Sequence, residues 1–427
     1  MTSVLRLLRD GLFVFSVIFI WLMLLYQFVL TAAGFRFRRR LDKEGEPEDG
    51  DIELPGVSIL VPARNEAKVI LDLLERLGGL DYPAGRLEFI IIDDGSTDGT
   101  GDLVESAAAA DPRVRLLRIP PDRSGRGKSA ALNTALPQAR FEAVAVYDAD
   151  NRPEPDSLAR LCRALVSDPG LAAVTGLFRV YNKDRNLLTR FIHLESLAFQ
   201  GIIQAGRWFL MKIAFLPGTN FVIWRKDLEA AGGWDEEALT EDTELTFRIY
   251  ERKRLVKFLP TAVTWEQEPE RLRTWIRQRT RWARGNNYVL GSRLPTLLRR
   301  RPNLMVFELL NLFFLYYVFV FAILFSDLIF ILSLLGLTRL RIAGPFTELW
   351  ALAAALFTLE VLLALSYERE DSRAMFGVTV LAYLTYTKLW VFVVLRGLVQ
   401  DVVLRRKRIW DKTERFDSHP PPKRGSA

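Results

Sequence analysis

The sequence predicts an α/β domain built on a mostly parallel sheet and joined to transmembrane and interfacial helices. Short apolar runs that end in polar turns alternate with stretches in which apolar residues recur at helical spacing. Strands that alternate with helices are typical of a parallel sheet covered on both faces. Two apolar regions flank this alternation, at 11–35 and from about 304 to 404. The 427 residues therefore leave room for one large domain between membrane elements.

The first predicted element is a membrane helix. Residues 11–35 carry no charge, and this length is sufficient to cross a bilayer core of roughly 30 Å. A signal peptide is the alternative, but its apolar core would be only about 7–15 residues long. More basic residues follow the segment than precede it, which predicts a cytoplasmic position for the domain that comes next.

Three apolar runs between the membrane regions are predicted strands: 57–61 (VSILV), 89–92 (FIII) and 143–147 (AVAVY). Helical spacing follows the first run, where apolar residues recur from Val69 to Leu77. Ligands of parallel sheets bind outside the carboxyl ends of the strands. Polar residues at those strand ends are therefore the first candidates for a binding site.

The turn after the second run could also be interpreted as a calcium loop, because Asp94, Ser96, Asp98 and Glu105 fall on positions of that pattern. A helix should precede such a loop, whereas a short β-branched run precedes Asp94. We therefore interpret Asp93 and Asp94 as strand-end acceptors for a sugar hydroxyl or a base N–H.

Lys128 lies in a glycine-bearing loop before a helical stretch, in SGRGKSAALNTAL (124–136). The phosphate-loop pattern requires glycine at position 122, which is Asp122 in this chain. The prediction that Lys128 lies near a phosphate thus depends on its charge and on a flexible backbone alone.

Asp148 and Asp150 directly follow the third predicted strand. Alternate acids at a strand end can share one hard divalent cation, which binds oxygen ligands and keeps positions open for phosphates. A solvated acidic turn is the alternative interpretation. The neighbouring sheet is of the type that binds nucleotides, and this favours the interpretation that Asp148 and Asp150 bind a metal.

Glu241 and Asp242 follow a Gly-Gly-Trp turn, at the start of a helical pattern. Thr240 can cap this helix, and acids in its first turn are favoured by the helix dipole. Capping would explain both acids, but one of them could equally serve as a general base.

Residues 271–301 contain ten arginines, together with Trp275 and Trp282. This composition is typical of an amphipathic helix that lies on a membrane, with arginines toward the headgroups and tryptophan at the interface. Such a helix does not explain the specific spacing of Gln278, Arg281 and Trp282.

The rest of the composition excludes several classes of function. The single cysteine, Cys162, permits neither an internal disulfide nor a cysteine-based metal site. The presence of only two histidines argues against a histidine-dependent catalyst, and His193 is predicted to be a packed helix residue. The net charge of +7 comes from arginines beside the membrane segments, which favours lipid headgroups over nucleic acid as the partner.

Five motifs in chain order, ARNEA, DDGSTD, DAD, TED and QRTRW, resemble those of processive-type family-2 glycosyltransferases. This family includes the cellulose, hyaluronan and poly-N-acetylglucosamine synthases, and ceramide glucosyltransferase shares much of the pattern. The resemblance covers about 57–286 and implies a nucleotide-sugar-binding domain of the GT-A type. Each motif is weak alone, but five in this order and spacing are specific.

The resemblance implies roles for the matching residues. The uridine end of a UDP-sugar would be held by Asn65, Glu66 and Asp94, with Lys128 near the diphosphate. Asp148 and Asp150 would hold Mg²⁺ or Mn²⁺, and Asp242 would be the catalytic base beside Glu241. The diphosphate and the acceptor would contact Gln278, Arg281 and Trp282, and the acceptor pocket would include Gly218, Thr219 and Asn220.

The implied reaction is an attack by an acceptor hydroxyl on the anomeric carbon as UDP leaves, through an oxocarbenium-like state. Direct displacement on an α-linked donor would invert the centre and give a β-linkage. The implied partners are a UDP-sugar, a polysaccharide or glycolipid acceptor and membrane lipids, with room for an export partner protein.

The expected organisation has six parts: a transmembrane helix with a basic flank (1–43), a linker (44–54), the catalytic domain (55–268), interfacial helices (269–303), transmembrane segments (304–404) and a basic tail (405–427). The protein is thus expected to be a multi-pass protein of the plasma or inner membrane, with a cytoplasmic catalytic domain.

Three C-terminal crossings are predicted, at 304–337, 346–365 and 375–395. Three crossings would put the tail outside, although its opening RRKR predicts the cytoplasmic side. Either the first segment contains a re-entrant turn near Ser326 and Asp327, or the last segment lies on the membrane surface. We expect a cytoplasmic tail.

Three functions remain open. The leading hypothesis is a processive polysaccharide synthase that also exports its product. The second is a transferase that adds one or two sugars to ceramide or diacylglycerol. The third is a non-catalytic polysaccharide-binding or export subunit, against which the complete set of acidic and basic motif residues argues.

Overall fold

The computed structural model describes residues 3–44, 52–299, 304–339, 344–407 and 416. Most of the predicted linker and most of the basic tail lie outside the described residues.

The centre of the molecule is one eight-stranded sheet with the order β3-β2-β1-β4-β7-β6-β8-β5. Its four pairings β1–β2, β1–β4, β2–β3 and β6–β8 are parallel, and the three others are antiparallel. The mostly parallel sheet predicted from the sequence is confirmed. The strands are β1 (Val57–Ala63), β2 (Leu87–Asp93), β3 (Val114–Arg118), β4 (Ala143–Val146), β5 (Arg152–Pro153), β6 (Leu171–Val180), β7 (Phe221–Trp224) and β8 (Leu255–Glu266).

Helices precede, connect and follow these strands. In chain order they are α1 (Ser3–Glu44), α2 (Ile70–Gly78), α3 (Thr100–Ala110), α4 (Lys128–Ala135), α5 (Ser157–Ser167), α6 (Leu187–Ser196), α7 (Gln204–Met211), α8 (Arg225–Ala231), α9 (Glu241–Glu251), α10 (Leu272–Leu298), α11 (Leu304–Phe313), α12 (Val320–Leu334), α13 (Phe346–Tyr367), α14 (Arg373–Leu381) and α15 (Thr387–Leu398). Segments of π-helix join α6 to α7, α11 to α12 and α14 to α15, and another extends α15 to Val403.

The sheet is buried because its strands are nearly continuous apolar runs. Every residue of β2 and β4 is buried, which is the pattern of strands covered on both faces. Helix α2 shows the spacing expected from the sequence, since Ile70, Leu73, Leu74 and Leu77 all face the core.

The carboxyl ends of three parallel strands meet at one edge of the sheet. Ala63 at the end of β1 pairs with Asp93 at the end of β2, and β4 runs parallel to β1 on the other side. The loops that begin at these ends therefore converge. This convergence brings distant acidic motifs together.

Helix α1 is joined to the sheet domain by two reciprocal glycine contacts with the π–α7 segment. A Cβ atom on Gly34 would lie 2.0 Å from the carbonyl oxygen of Ile202, and a Cβ on Gly206 would lie 2.0 Å from that of Leu30. Because real Cβ atoms do not approach so closely, only glycine permits this backbone contact. Arg38 extends the contact by pairing with Glu368, just beyond α13, at 2.7 Å.

Four helices in the described residues are long and apolar enough to cross a membrane: Val4–Lys43, Met305–Leu334, Phe346–Tyr367 and Arg373–Val403. They match the four apolar segments predicted from the sequence. The helix that contains Ser326 and Asp327 is unbroken until Leu334, so the re-entrant turn suggested there is wrong. Apolar residues on both sides of Asp327 sustain the helix, and Lys388 of α15 forms an ion pair with this acid.

The last long helix stays against the sheet domain at both of its ends. Just before it, the carboxylate of Glu370 lies 2.8 Å from the His193 ring of α6, as a hydrogen-bonded pair. Near its end, Asp401 accepts hydrogen bonds from Arg284 and Asn287 of α10, each at 2.8 Å. The contact with Glu370 also confirms that His193 is a packed helix residue, only 2% exposed.

Candidate active site

One cavity, with a volume of about 670 Å³, begins at the carboxyl edge of the sheet and brings most of the predicted site residues together. Twelve of the fourteen candidates line it: Glu66, Asp94, Lys128, Asp148, Asp150, Gly218, Thr219, Glu241, Asp242, Gln278, Arg281 and Trp282. Residues from separate regions of the chain thus share a single space.

The structure does not bring Asn65 or Asn220 into the cavity wall. Asn65 is exposed at the rim, where its Oδ1 accepts a hydrogen bond from the backbone N–H of Thr97 at 2.7 Å. Asn220 is fully buried and donates to the carbonyl oxygens of Leu177 and Ala262 at 3.1 and 3.0 Å. The amide of Asn220 therefore joins β6 to β8, and its predicted place in an acceptor pocket is not what the structure describes.

Asp94 is held at the end of β2 by the loop that carries Lys128. Its Oδ1 accepts a hydrogen bond from the backbone N–H of Gly125 at 2.7 Å. Burial raises the pKa of Asp94, and this hydrogen bond opposes the rise. A buried acceptor that faces a cavity is suited to an N–H or hydroxyl group of a ligand.

Lys128 connects three parts of the site. Its Nζ donates to Asp148 Oδ1 at 2.5 Å and to the carbonyl oxygen of Gly218 at 2.8 Å, and it lies 3.9 Å from Glu241 Oε1. Burial alone would lower the pKa of Lys128, but the charges of Asp148 and Glu241 outweigh it and raise the pKa. The ammonium group of Lys128 is therefore a fixed positive charge. The side chain of Lys128 is only 9% exposed.

Asp148 and Asp150 lie on the turn after β4. The backbone N–H of Asp148 is bound by Asn151 Oδ1 and Thr219 Oγ1 at 3.0 and 3.1 Å, which fixes the turn. Asp150 Oδ2 accepts from the backbone N–H of Gln267 at 3.0 Å. Both carboxylates therefore face the cavity from a rigid support.

This donor set fits a divalent ion that shares its ligands with a phosphate group. Among the described residues, no three His, Cys, Asp or Glu side chains form a cluster that could enclose a metal by itself. Two carboxylates leave positions open for water and phosphate oxygens, as Mg²⁺ sites of nucleotide enzymes do. Lys128, which pairs with Asp148 here, is also close enough to neutralise such a phosphate.

Asp242 is the second residue of α9 and faces the cavity beside Gly218. A Cβ atom on Gly218 would lie 3.0 Å from Asp242 Oδ2, and the positive φ of 82° at this glycine also disfavours a side chain. Burial, followed by the charge of Glu241, raises the pKa of Asp242 to about 7. Asp242 can therefore exchange a proton near neutral pH.

Helix α10 supplies the basic side of the site. Arg281 donates to the carbonyl oxygen of Leu239 at 3.1 Å, just before the TED turn. One helical turn later, a Cβ on Gly285 would lie 2.5 Å from the side chain of Thr240. The close approach at Gly285 holds α10 against the turn that carries Glu241 and Asp242, with Trp282 in the same cavity wall.

The cavity also contains polar residues that sequence reasoning did not identify, among them Gln267 and Glu268 just after β8 and Arg279 on α10. The first two follow a strand end, which is the same signal that identified Asp94 and Asp148. Arg279 had no such signal, because it is one arginine among ten.

The cavity continues away from the sheet, between the long apolar helices. Its wall there includes residues of α1, α12, α13 and α15, as far as Phe13 and Phe346, whose rings are 5.0 Å apart. Aromatic side chains are frequent in this part, and polar ones also occur: Trp21, Phe319, Phe330 and Trp350, with Asn311, Asp327 and Lys388.

Comparisons with known proteins agree with these motifs. A family model described as "Glycosyltransferase like family 2" matches residues 55–285. The chain is 41% identical over 418 residues to "Probable glycosyltransferase YdaM" of Bacillus subtilis (strain 168), covering 96% of this chain and 99% of that protein.

Two other relatives match a shorter part of the chain. "Beta-monoglucosyldiacylglycerol synthase" of Nostoc sp. is 34% identical over 266 residues, which are 60% of this chain and 55% of that protein. "Poly-beta-1,6-N-acetyl-D-glucosamine synthase" of Staphylococcus aureus (strain COL) is 29% identical over 264 residues, 61% of this chain and 62% of that protein. The chain thus spans a little over half the length of these two relatives.

Among solved structures, mannosyltransferase PcManGT from Pyrobaculum calidifontis, in complex with GDP-Man and Mn²⁺, superposes with a TM-score of 0.54. The two chains are 24% identical, and the match covers 85% of this chain and 99% of the other. This likeness shows a shared fold.

Proposed function

The chain belongs to glycosyltransferase-like family 2 and is a glycosyltransferase, and we propose that it moves a hexose or N-acetylhexosamine from a UDP-sugar to a growing β-linked polysaccharide. The observation that carries the proposal is the single cavity in which the acidic and basic motif residues meet and which continues between the apolar helices. The cytoplasmic pool of UDP-sugar would enter at the sheet, and product would leave through the helices.

In this proposal the sheet edge binds the donor. Asp94 and Glu66 accept hydrogen bonds from the uridine end, and Lys128 neutralises the diphosphate. Asn65 contributes by holding the loop after β1 to the loop after β2 through Thr97. Gly218 and Thr219 border the sugar, since Lys128 donates to the carbonyl oxygen of Gly218 and a Cβ atom on Gly218 would lie 3.0 Å from Asp242 Oδ2.

Asp148 and Asp150 would hold Mg²⁺ or Mn²⁺. When bound, the ion stabilises the negative charge that develops on the leaving diphosphate. The Mn²⁺ bound with GDP-Man in the Pyrobaculum calidifontis mannosyltransferase supports the choice of a divalent metal. Arg281 adds a second positive charge, whose planar fork suits phosphate.

Asp242 would be the general base. It accepts the proton of the acceptor hydroxyl while that oxygen bonds to the anomeric carbon and the bond to UDP breaks. Burial, followed by the charge of Glu241, keeps the pKa of Asp242 high, so the base is strong enough to accept the proton. Gln278 and Trp282 would hold the acceptor sugar in line with the donor.

The raised pKa of Asp242 predicts a pH dependence. A base must be deprotonated to act, so we expect kcat/KM for the UDP-sugar to fall about tenfold per unit below roughly pH 7 and to level above it. The measurement is kcat/KM at saturating metal from about pH 5.5 to about pH 9. A profile that rises toward acid pH would contradict Asp242 as the base.

The cavity between the helices supports a polymer as the acceptor. Aromatic rings can lie against the faces of sugar rings, and side chains such as Asn311 and Ser326 can bond hydroxyl groups. The cavity reaches from the sheet to Phe346, at the start of α13. An acceptor that remains bound over this length could be extended repeatedly.

A second candidate acceptor is a lipid such as diacylglycerol or ceramide. Aliphatic residues, among them Val17, Ile20 and Leu312, also line the cavity and could contact an acyl chain. The relatives that act as β-monoglucosyldiacylglycerol synthases support this candidate as well. A non-catalytic export subunit is not favoured, because the complete acid and base set is retained in one cavity.

For the membrane, we propose three crossings, by α1, α11–α12 and α13, with both ends of the last long helix on the cytoplasmic side. The contacts of Glu370 with α6 and of Asp401 with α10 support this arrangement. Phe416 of the tail exchanges hydrogen bonds with Gln267, beside Asp150, which supports a tail on the catalytic side. This topology agrees with the basic residues that open the tail.

The test is a product assay with the full chain in lipid nanodiscs, Mg²⁺ or Mn²⁺, and labelled UDP-glucose, UDP-N-acetylglucosamine or UDP-galactose. We expect label from one donor to appear as a long polymer. Label in a small lipid-soluble product would instead favour the glycolipid candidate. If UDP is neither bound nor released with any donor, the proposed UDP-sugar chemistry is wrong.

A further inference from the structure

Arg279 is a guanidinium group buried at the centre of the acceptor side of the cavity. It belongs to the QRTRW segment, between Gln278 and Arg281, but the motif gives it no role. Only 1% of its surface is exposed. It therefore differs from the exposed arginines around it on α10, such as Arg273 and Arg277.

The closest aromatic contact of Arg279 is with Trp282. The guanidinium carbon lies 3.8 Å from the centroid of the Trp282 ring, which is a stacked cation–π distance. It also lies 5.7 Å from the ring of Trp390 on α15. The planar group thus contacts two tryptophans, both of which line the cavity.

Two carboxylates surround the same guanidinium without a close ion pair. Nη2 lies 3.6 Å from Glu195 of α6 and 3.9 Å from Glu268 after β8, while Nη1 donates to Gln278 Oε1 at 3.1 Å. Glu195 in turn accepts a hydrogen bond from Trp390 Nε1 at 3.3 Å. The carboxylates balance the buried charge, and the stack on Trp282 fixes the plane of the group.

We infer that Arg279 is a positioning residue that holds the Trp282 ring in the orientation needed by the acceptor sugar. The inference rests on the proposed function, in which Trp282 contacts the acceptor. Arg279 acts through Trp282, because its guanidinium lies over that ring and only 1% of its own surface is exposed. The donor end of the cavity, around Asp94 and Lys128, does not depend on this contact.

Lysine cannot replace arginine here. An ammonium group keeps the charge between Glu195 and Glu268 but has no plane to stack on the indole. Arg279→Lys should therefore leave the ring of Trp282 free to turn while the charge balance is kept. The base Asp242 and the donor site would remain, so water could still attack the bound sugar.

The experiment uses the competition between the acceptor hydroxyl and water for the bound sugar. In each turnover an oxygen atom bonds to the anomeric carbon and UDP leaves with the electron pair of the broken bond; the oxygen comes from the acceptor or from water. Labelled UDP-sugar is supplied to the full chain in nanodiscs, and the ratio of incorporated label to free labelled monosaccharide is measured. This ratio does not change when part of the protein is inactive, so a merely structural defect would not move it.

We expect Arg279→Lys to lower the ratio about tenfold, with the affinity for UDP and metal unchanged. Trp282→Ala should lower it at least as much, and the double variant should be no worse than Trp282→Ala alone, since one residue acts through the other. Arg277→Lys, an exposed neighbour on the same helix, is the matched control and should behave as the wild type.

Two results would overturn the inference: an unchanged ratio in Arg279→Lys, or effects of Arg279→Lys and Trp282→Ala that add fully in the double variant. A wild type that incorporates no label from any UDP-sugar would instead contradict the proposed function itself. The two failures are therefore distinguishable in the same set of reactions.

Discussion

Asp242→Asn is expected to abolish sugar transfer while the protein still binds UDP. Asparagine has nearly the same shape and can still accept the backbone N–H of Thr243, which Asp242 Oδ1 bonds at 2.7 Å. It cannot accept the proton of the attacking hydroxyl. General-base catalysis typically contributes about 10²–10⁴ in rate, so the loss should be of this order or larger. The measurement is label incorporation, with UDP affinity from isothermal titration on the same preparation.

The matched control is Glu237→Gln, which removes an exposed carboxylate from the turn just before the TED segment. It should transfer sugar at the normal rate. Glu241→Gln separates the two neighbouring acids: removal of the Glu241 charge lowers the pKa of Asp242, so the pH profile should move toward acid rather than disappear. Near-normal turnover in Asp242→Asn would show that another group is the base.

Asp150→Ala is expected to abolish metal-dependent binding of UDP, and transfer with it. Among the described residues no third His, Cys, Asp or Glu side chain completes a metal-binding cluster with Asp148 and Asp150, so removal of one acid leaves the ion a single protein ligand. Asp150→Asn is the milder variant, because its amide oxygen can still accept the backbone N–H of Gln267 and so preserve the fold. Isothermal titration of UDP, with Mg²⁺ or Mn²⁺ and again with a chelator, measures the effect.

Asp102→Ala provides the control for this experiment, since the side chain of Asp102 is 81% exposed and pairs with Arg118 at the surface. Its UDP titration should match that of the wild type in both conditions. The metal-site hypothesis fails if UDP binds equally well to Asp150→Ala and to the chelator-treated wild type as to the intact protein with metal.

The fold and the acidic edge of the site were predictable because they depend on local patterns. Buried runs such as 89–92 define the strands, and parallel strands end at a common edge, which brings Asp94 and Asp148 together. The four apolar segments were predictable for the same reason, since length and composition alone identify them.

Side-chain direction and long-range packing were not predictable in this way. Asn220 directly follows two cavity residues, yet its amide turns into the sheet to bond carbonyl oxygens of β6 and β8. The burial of Arg279 depends on Glu195 and Trp390, which are distant in the sequence. The ion pair of Asp327 likewise depends on Lys388, which is 61 positions away in the chain.

The reciprocal contact of Gly34 and Gly206 has a consequence for how the enzyme works at a bilayer. Because two backbones touch with no side chains between them, the sheet domain cannot roll or slide on its anchor without losing that contact. The mouth of the candidate site is therefore held in one position relative to α1. If the acceptor is the polymer that we propose, it must move past a site that stays fixed on this helix.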